Sequence, residues 1–94
     1  MYNNLILDNR DHFLSCEELP SLSEVTMVVE SHANVIEEIK RVNPGFVVVR
    51  IDSTICPGKA DIVIEYPSQQ NRLAIEEIID GETFFDVPYR LRNY

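Results

Sequence analysis

A thiol and an amine at the two ends of one turn are the first residues in this chain that could do chemistry. Cys56-Pro57-Gly58-Lys59 suits a type II turn, with proline fixing φ at the second position and glycine accepting positive φ at the third. A nearby ammonium stabilises a thiolate, so Cys56 and Lys59 are candidates for a nucleophile or a redox sensor. No His or second Cys lies beside them in sequence to act as base or resolving thiol, and the plain alternative is a hairpin turn that contains a cysteine. The other cysteine, Cys16, is distant and in a different context, so the spacing indicates no disulfide framework.

Acids supply the second possibility. Asp61 opens Asp61-Ile62-Val63-Ile64-Glu65, and Glu76-Glu77 follow in the next segment. An acid on one strand and an acid-x-Lys on the next resembles the PD-(D/E)xK nuclease core, where acids bind Mg²⁺ and the lysine helps activate water. Here Ile78 stands where that lysine belongs and the second segment reads as a helix, so the pattern breaks where the chemistry sits. Asp8, Asp11, His12 and Cys16 match no usual zinc spacing, and no metal site is expected. His32 falls on an apolar stripe and reads as a hydrogen-bonded core histidine. Gly45, Gly58 and Gly81 each mark a turn and form no phosphate loop, so no cofactor is expected either.

The elements that must position these residues belong to a short chain. Its 94 residues, 45% of them hydrophobic, imply a single domain over 1–94, with 1–20 as an N-terminal arm or a short strand plus loop, and 21–94 as a compact core. A formal charge of −8 opposes phosphate-backbone binding and anionic membrane surfaces. The acids are scattered, which fits solubility better than a dedicated basic partner. No apolar run is long enough to span a bilayer, and the first residues lack the pattern of a signal peptide, so the expected location is cytoplasmic.

Ser21-Leu22-Ser23-Glu24 has capping-box spacing after Pro20. Leu22, Val25, Val29, His32, Ile36 and Ile39 then recur at helical steps, with Val28, Val35 and Val42 adjoining, which predicts one long helix ended by Asn43-Pro44-Gly45. The rival reading makes Val25-Thr26-Met27-Val28-Val29 a strand, with a shorter helix from about Ser31. Residues 46–54 and 60–66 read as two strands. Closing them through the Cys56–Lys59 turn pairs Val49 with Tyr66, Ile51 with Ile64 and Arg50 with Glu65. Ser68 caps a helix from Gln69 to Ile79, with Ala74, Ile75, Ile78 and Ile79 as its buried face and Asp80-Gly81 as its end. A last strand runs from Phe84 to Arg92, with Pro88 marking an edge.

With Leu5-Ile6-Leu7 as a first strand the order is βαββαβ; without it, αββαβ. This order resembles the ferredoxin-like fold, an α+β two-layer sandwich with an antiparallel sheet and two helices on one face. That likeness lies in element order alone, and the fold hosts many functions. RNA binding of the kind found in that fold is opposed by the net charge and by outward Asp52, Asp61, Glu65 and Asp86.

Alternation leaves a sheet face with Phe46, Val48, Val63 and Phe84 at its centre, ringed by Arg50, Asp52, Asp61, Glu65, Arg90 and Arg92. An apolar centre within a charged rim is the anatomy of an interface, unless the N-terminal arm covers it. The reading favoured is a non-enzymatic protein-interaction module, acting as a homodimer or as an adaptor or inhibitor of another protein. A small-ligand regulatory domain resembling ACT-like folds is the alternative, and an enzyme using Cys56 or the acids near Asp61 is the third.

Overall fold

Ser21 opens the helical half of the molecule as its spacing predicts. The computed structural model describes residues 14–54 and 56–94. In it, the Ser21 hydroxyl accepts from the Glu24 amide at 3.2 Å, and the Glu24 carboxylate accepts from the Ser21 amide at 2.9 Å. The Ser21 amide, then its hydroxyl, hold the Glu24 carboxyl below the usual carboxylate range. From this cap α1 runs Leu22–Ser31, so residues 25–29 are helical and the strand reading of that segment is wrong.

The expected long helix is two. After α1 the chain kinks at His32 (φ −121°, ψ 37°) and resumes as α2, Ala33–Lys40. No proline or glycine lies at the break. The His32 Nδ1 sits 2.9 Å from the Val28 carbonyl, which also accepts the His32 amide at 3.1 Å, so ring and amide share one acceptor at the end of α1. The helix also stops before Asn43-Pro44-Gly45, with Arg41 as its C-cap.

Strands β1 (Val48–Asp52) and β2 (Asp61–Tyr66) form the expected antiparallel hairpin, but two residues out of the expected register. Val49 pairs with Ile64, Arg50 with Val63 and Ile51 with Ile62. A shift of two keeps every side chain on its face, so the inward and outward sets survive. Its cause lies in the connecting loop. Lys59 N–H still donates to the Cys56 carbonyl at 2.9 Å, and Gly58 has the positive φ of 83° that a type II turn needs at its third position. This turn does not close the hairpin. Gly58 accepts from the Leu22 amide, Ala60 donates to the Pro20 carbonyl, and Ser21 and Lys59 form an isolated bridge. The loop is thus drawn onto the segment before α1 and away from its own strands.

A Cys16–Cys56 disulfide fastens the same junction, across 40 residues of sequence. Cys16 lies in a single 3₁₀ turn, Cys16–Glu18, which has its own Ser15–Glu18 capping box. The expectation of unpaired cysteines is therefore corrected. Sequence spacing could not show it, since the fold alone brings the two together.

Helix α3 (Gln69–Ile79) has the expected limits, with the Ser68 hydroxyl accepting from the Asn71 amide and Asp80 in the left-handed region as C-cap. The last strand differs. Residues 83–93 fold as a tight hairpin, β3 (Thr83–Phe84) and β4 (Val87–Asn93), turned by Phe85 (φ 51°) and Asp86 (φ 73°). Two consecutive positive φ angles define a type I′ turn, which usually uses Asn and Gly, so neither residue type announced it. Pro88 faces Thr83 across this short ribbon.

The sheet order is β1-β2-β4-β3, with β2 and β4 parallel direct neighbours. The fold is α+β with a mixed sheet, so the expectation of an antiparallel sheet is corrected, and among the described residues three α-helices replace two. Val25 of α1, Ile36 and Ile39 of α2 and Ile75 of α3 share one core with Ile62, Ile64, Tyr66, Tyr89 and Leu91, which alternate onto a single sheet face. Leu5-Ile6-Leu7, Asp8, Asp11 and His12 lie outside the described residues. Among the described residues, no helix is long and apolar enough to cross a membrane.

Replacing both Cys16 and Cys56 by serine is expected to lower the unfolding free energy by about 3–4 kcal/mol, the range for a closed loop of this size. Urea unfolding checks it, and a midpoint equal to the parent's would show that the bridge contributes nothing. Ser21→Ala in the same assay should cost about 1 kcal/mol through the lost cap.

Candidate functional site

Directly opposed residues in a sheet share a face, so the register arranges the outer face in rows. Asp52 lies beside Asp61, Arg50 beside Val63 and then Arg90, and Val48 beside Glu65 and then Arg92. Two like charges face each other in the first row, which is unfavourable unless a cation intervenes. Arg90 provides it. Its guanidinium donates through Nε to Asp61 Oδ2 at 2.6 Å, through Nη2 to Asp61 Oδ1 at 3.1 Å, and through Nη2 to Asp52 Oδ2 at 2.5 Å. Planar fork geometry suits this two-carboxylate grip, which lysine could not reproduce.

Thr54 completes the cluster, its amide and hydroxyl donating to Asp52 Oδ1 at 3.0 and 2.6 Å. The Thr54 hydroxyl and amide, then Arg90, hold the Asp52 carboxyl down at about 2 against an ordinary 3.8. Burial disfavours the Arg90 charge, but the bonds to Asp61 and Asp52 outweigh it and keep the guanidinium above its ordinary value. The group is charged, buried and mutually satisfied. It fixes strand positions and offers no unpaired acid or base for catalysis.

Cys56 is buried in the disulfide and has no thiol to react, so it is neither nucleophile nor sensing thiolate while the bridge is intact. Lys59 is bridged to Ser21 and lies near Glu24. Asp61 is held by Arg90 beside Asp52, and among the described residues no group of three or more His, Cys, Asp and Glu is arranged to hold a metal.

The expected apolar interface centre is broken up. Val63, between Arg50 and Arg90 in its row, is only 1% exposed and cannot anchor a partner. Phe84 lies on the opposite, helix-covered face, because the Phe85-Asp86 turn pairs it with Val87 and so reverses the parity expected of one continuous strand. Arg90 is buried in the core of the charged cluster, not on a rim. Arg50 stays outward, with Nε 3.7 Å from Glu65, so the expected charge pair survives as a diagonal contact. Glu65 and Arg92 are half-buried neighbours in the third row.

What stays open lies at one end of β1. Phe46 is 57% exposed, Val48 44% and Tyr94 62%. The Tyr94 hydroxyl donates to the Phe46 carbonyl, and the Tyr94 amide donates to Tyr66, so the C-terminus is folded across the hairpin's end onto this strip. Among the described residues β1 pairs with β2 alone, which leaves its other edge without a neighbouring strand.

A second feature was invisible in sequence. His32 stacks on Phe85 at 3.5 Å between ring centroids, and Phe84 meets Phe85 edge to face at 4.9 Å. His32 is hydrogen-bonded as expected, but it is half-buried at the margin and not part of the core. Its ring joins the helix kink to the strained turn, and the favourable stack helps hold Phe85 at positive φ.

Asp52 has a lowered folded-state pKa, so its stabilisation is complete above 3.8 and is lost as pH falls through about 2. The gap in stability between the parent and Asp52→Asn should therefore narrow on acidification across that window, measured by urea unfolding at each pH. Arg90→Leu should cost about 3–5 kcal/mol at neutral pH by leaving two buried carboxylates unpaired. Comparison with family models, with curated proteins and with solved structures gives no match, so function has to be argued from this geometry.

Proposed function

We propose that this chain is a non-enzymatic protein-interaction module that binds through the β1 edge and the apolar strip at its start. One observation carries the reading: Phe46, Val48 and Tyr94, all well exposed, are gathered beside a strand edge that meets no other strand among the described residues. Exposed aromatic and aliphatic side chains beside unpaired strand backbone are the two components of strand-addition recognition, where main-chain bonds give affinity and side chains give selectivity. The opposite edge is less suited, because β3 has only two residues, Thr83–Phe84.

The interface first expected across the whole sheet face is thereby narrowed to its margin. Phe46, Val48 and Arg50 remain in it, while Val63, Phe84 and Arg90 serve the fold. The Cys16–Cys56 bridge supports work in an oxidising compartment over the reducing cytoplasm, since cytosolic thiols are kept reduced.

Val48→Glu places a charge in the strip without touching the core. Association, measured by light scattering of the purified chain and by recovery of bound protein from native lysate, should fall at least about tenfold while the circular dichroism spectrum stays unchanged. A Val48→Glu chain that associates as the parent does would overturn the reading.

A further inference from the structure

The partner at the β1 edge can be named from charge and symmetry, on the reading that this edge is the interface. We infer that it is a second copy of this chain, its β1 antiparallel to the first, with Ile51 of each strand on the two-fold axis.

The chain has twice as many acidic as basic residues, eight Lys and Arg against sixteen Asp and Glu, which ordinarily discourages self-association. On the outer face of the sheet the balance is different, with Arg50, Arg90 and Arg92 against Asp52, Asp61 and Glu65. The excess acid lies elsewhere, as in exposed Glu30, Glu37 and Glu77 on the helices. Edge-to-edge pairing joins the neutral part of two molecules and leaves the acidic helices to either side, where salt screens over roughly 8–10 Å.

Symmetry then limits the register. A two-fold relating two antiparallel edge strands stands perpendicular to the sheet and pairs residues of the same face, so a single residue lies on the axis. Three central positions of β1 are available. With Val49 on the axis, Arg50 meets Val48 and finds no acid. With Arg50 on the axis, the two guanidinium groups face each other, which is unfavourable.

With Ile51 on the axis, Arg50 of each chain faces Asp52 of the other, twice, and the two Ile51 side chains meet on the core side. Arg50 is well placed for this, since its contacts within its own chain, 3.7 Å to Glu65 and 4.0 Å to Asp52, are longer than good hydrogen bonds. Asp52 is held as a carboxylate by Thr54 and Arg90 with its side chain 8% exposed, so the second chain's Arg50 adds a charge contact at its rim and displaces none of those bonds.

The test is a cysteine scan in the full chain with the native disulfide intact. Val49→Cys, Arg50→Cys and Ile51→Cys are oxidised under mild conditions and read as covalent dimer on non-reducing gels. Directly opposed residues lie about 4.5–5.5 Å apart between Cα atoms, within disulfide reach, so Ile51→Cys should cross-link at least about tenfold more than the other two. Arg50→Asp should weaken the dimer about tenfold by sedimentation equilibrium, and Arg50→Lys should retain most of it, which separates lost charge pairing from a folding defect.

Dominant cross-linking at position 49 or 50 overturns the register. A dimer that none of the three variants cross-links, and that Arg50→Asp leaves intact, overturns the β1 contact. A parent that is monomeric throughout overturns the second copy as occupant. In that last case, a different protein recovered by the parent and lost by Val48→Glu would leave the interaction reading standing, and equal recovery by both would sink it too.

Discussion

Two carboxylates placed opposite each other on neighbouring strands, Asp52 and Asp61, are the constraint around which this sheet is organised. Left alone they would repel across the hairpin and favour another register. Arg90 from β4 reaches both, so β1, β2 and β4 are tied by one guanidinium. The parallel β2-β4 pairing sets Arg90 beside Val63, one row from the two acids, which allows the side chain to reach diagonally between them. Such a cluster adds less net stability than an apolar packing of equal volume, because each charge is costly to desolvate. Its contribution is selectivity: a slipped register would strand one or two buried charges, a far larger penalty than the loss of a few apolar contacts.

Local chemistry was legible where a residue acts on its own neighbours. The Ser21 and Ser68 caps satisfy amides three residues away, so spacing alone defines them. Strand alternation was legible for a similar reason, and it survived a register shift of two because the side-chain period is two. The rest depended on partners far away in sequence. Cys16 and Cys56 meet because the loop after β1 folds back on the segment before α1, and the composition of neither segment signals that. Arg90 reads as an outward residue of an alternating strand. Only the strand order shows that two acids wait beside it.

The Phe85-Asp86 turn was hidden for a different reason. Nothing local favours positive φ at phenylalanine, and the stack on His32 that helps to hold it comes from the helix kink. The kink itself is hidden because neither proline nor glycine marks it; a histidine whose amide and ring both bond the preceding turn stands there. Missing that turn also misplaced Phe84, since a two-residue reversal changes which face the earlier residues occupy. The error in the candidate site was thus an error of topology that spread through parity. Phe46, Val48 and Arg50 lie ahead of that reversal and are outward and exposed.

A single line of cause connects the disulfide to the exposed edge. The Cys16–Cys56 bridge and the bonds of Gly58 and Ala60 to Leu22 and Pro20 hold the loop off the hairpin. Held there, the loop cannot shorten, and β1 and β2 pair in the register that sets Asp52 against Asp61. That register requires Arg90, and Arg90 with Arg50 flanks Val63, removing the apolar centre from the outer face. The apolar surface that remains is pushed to the start of β1, where the strand edge also meets no neighbour among the described residues. A face that looked in sequence like one broad interface is therefore divided by its own electrostatics into a sealed structural half and an open margin. The proposed binding surface is that margin, where exposed Phe46 and Val48 adjoin the β1 edge.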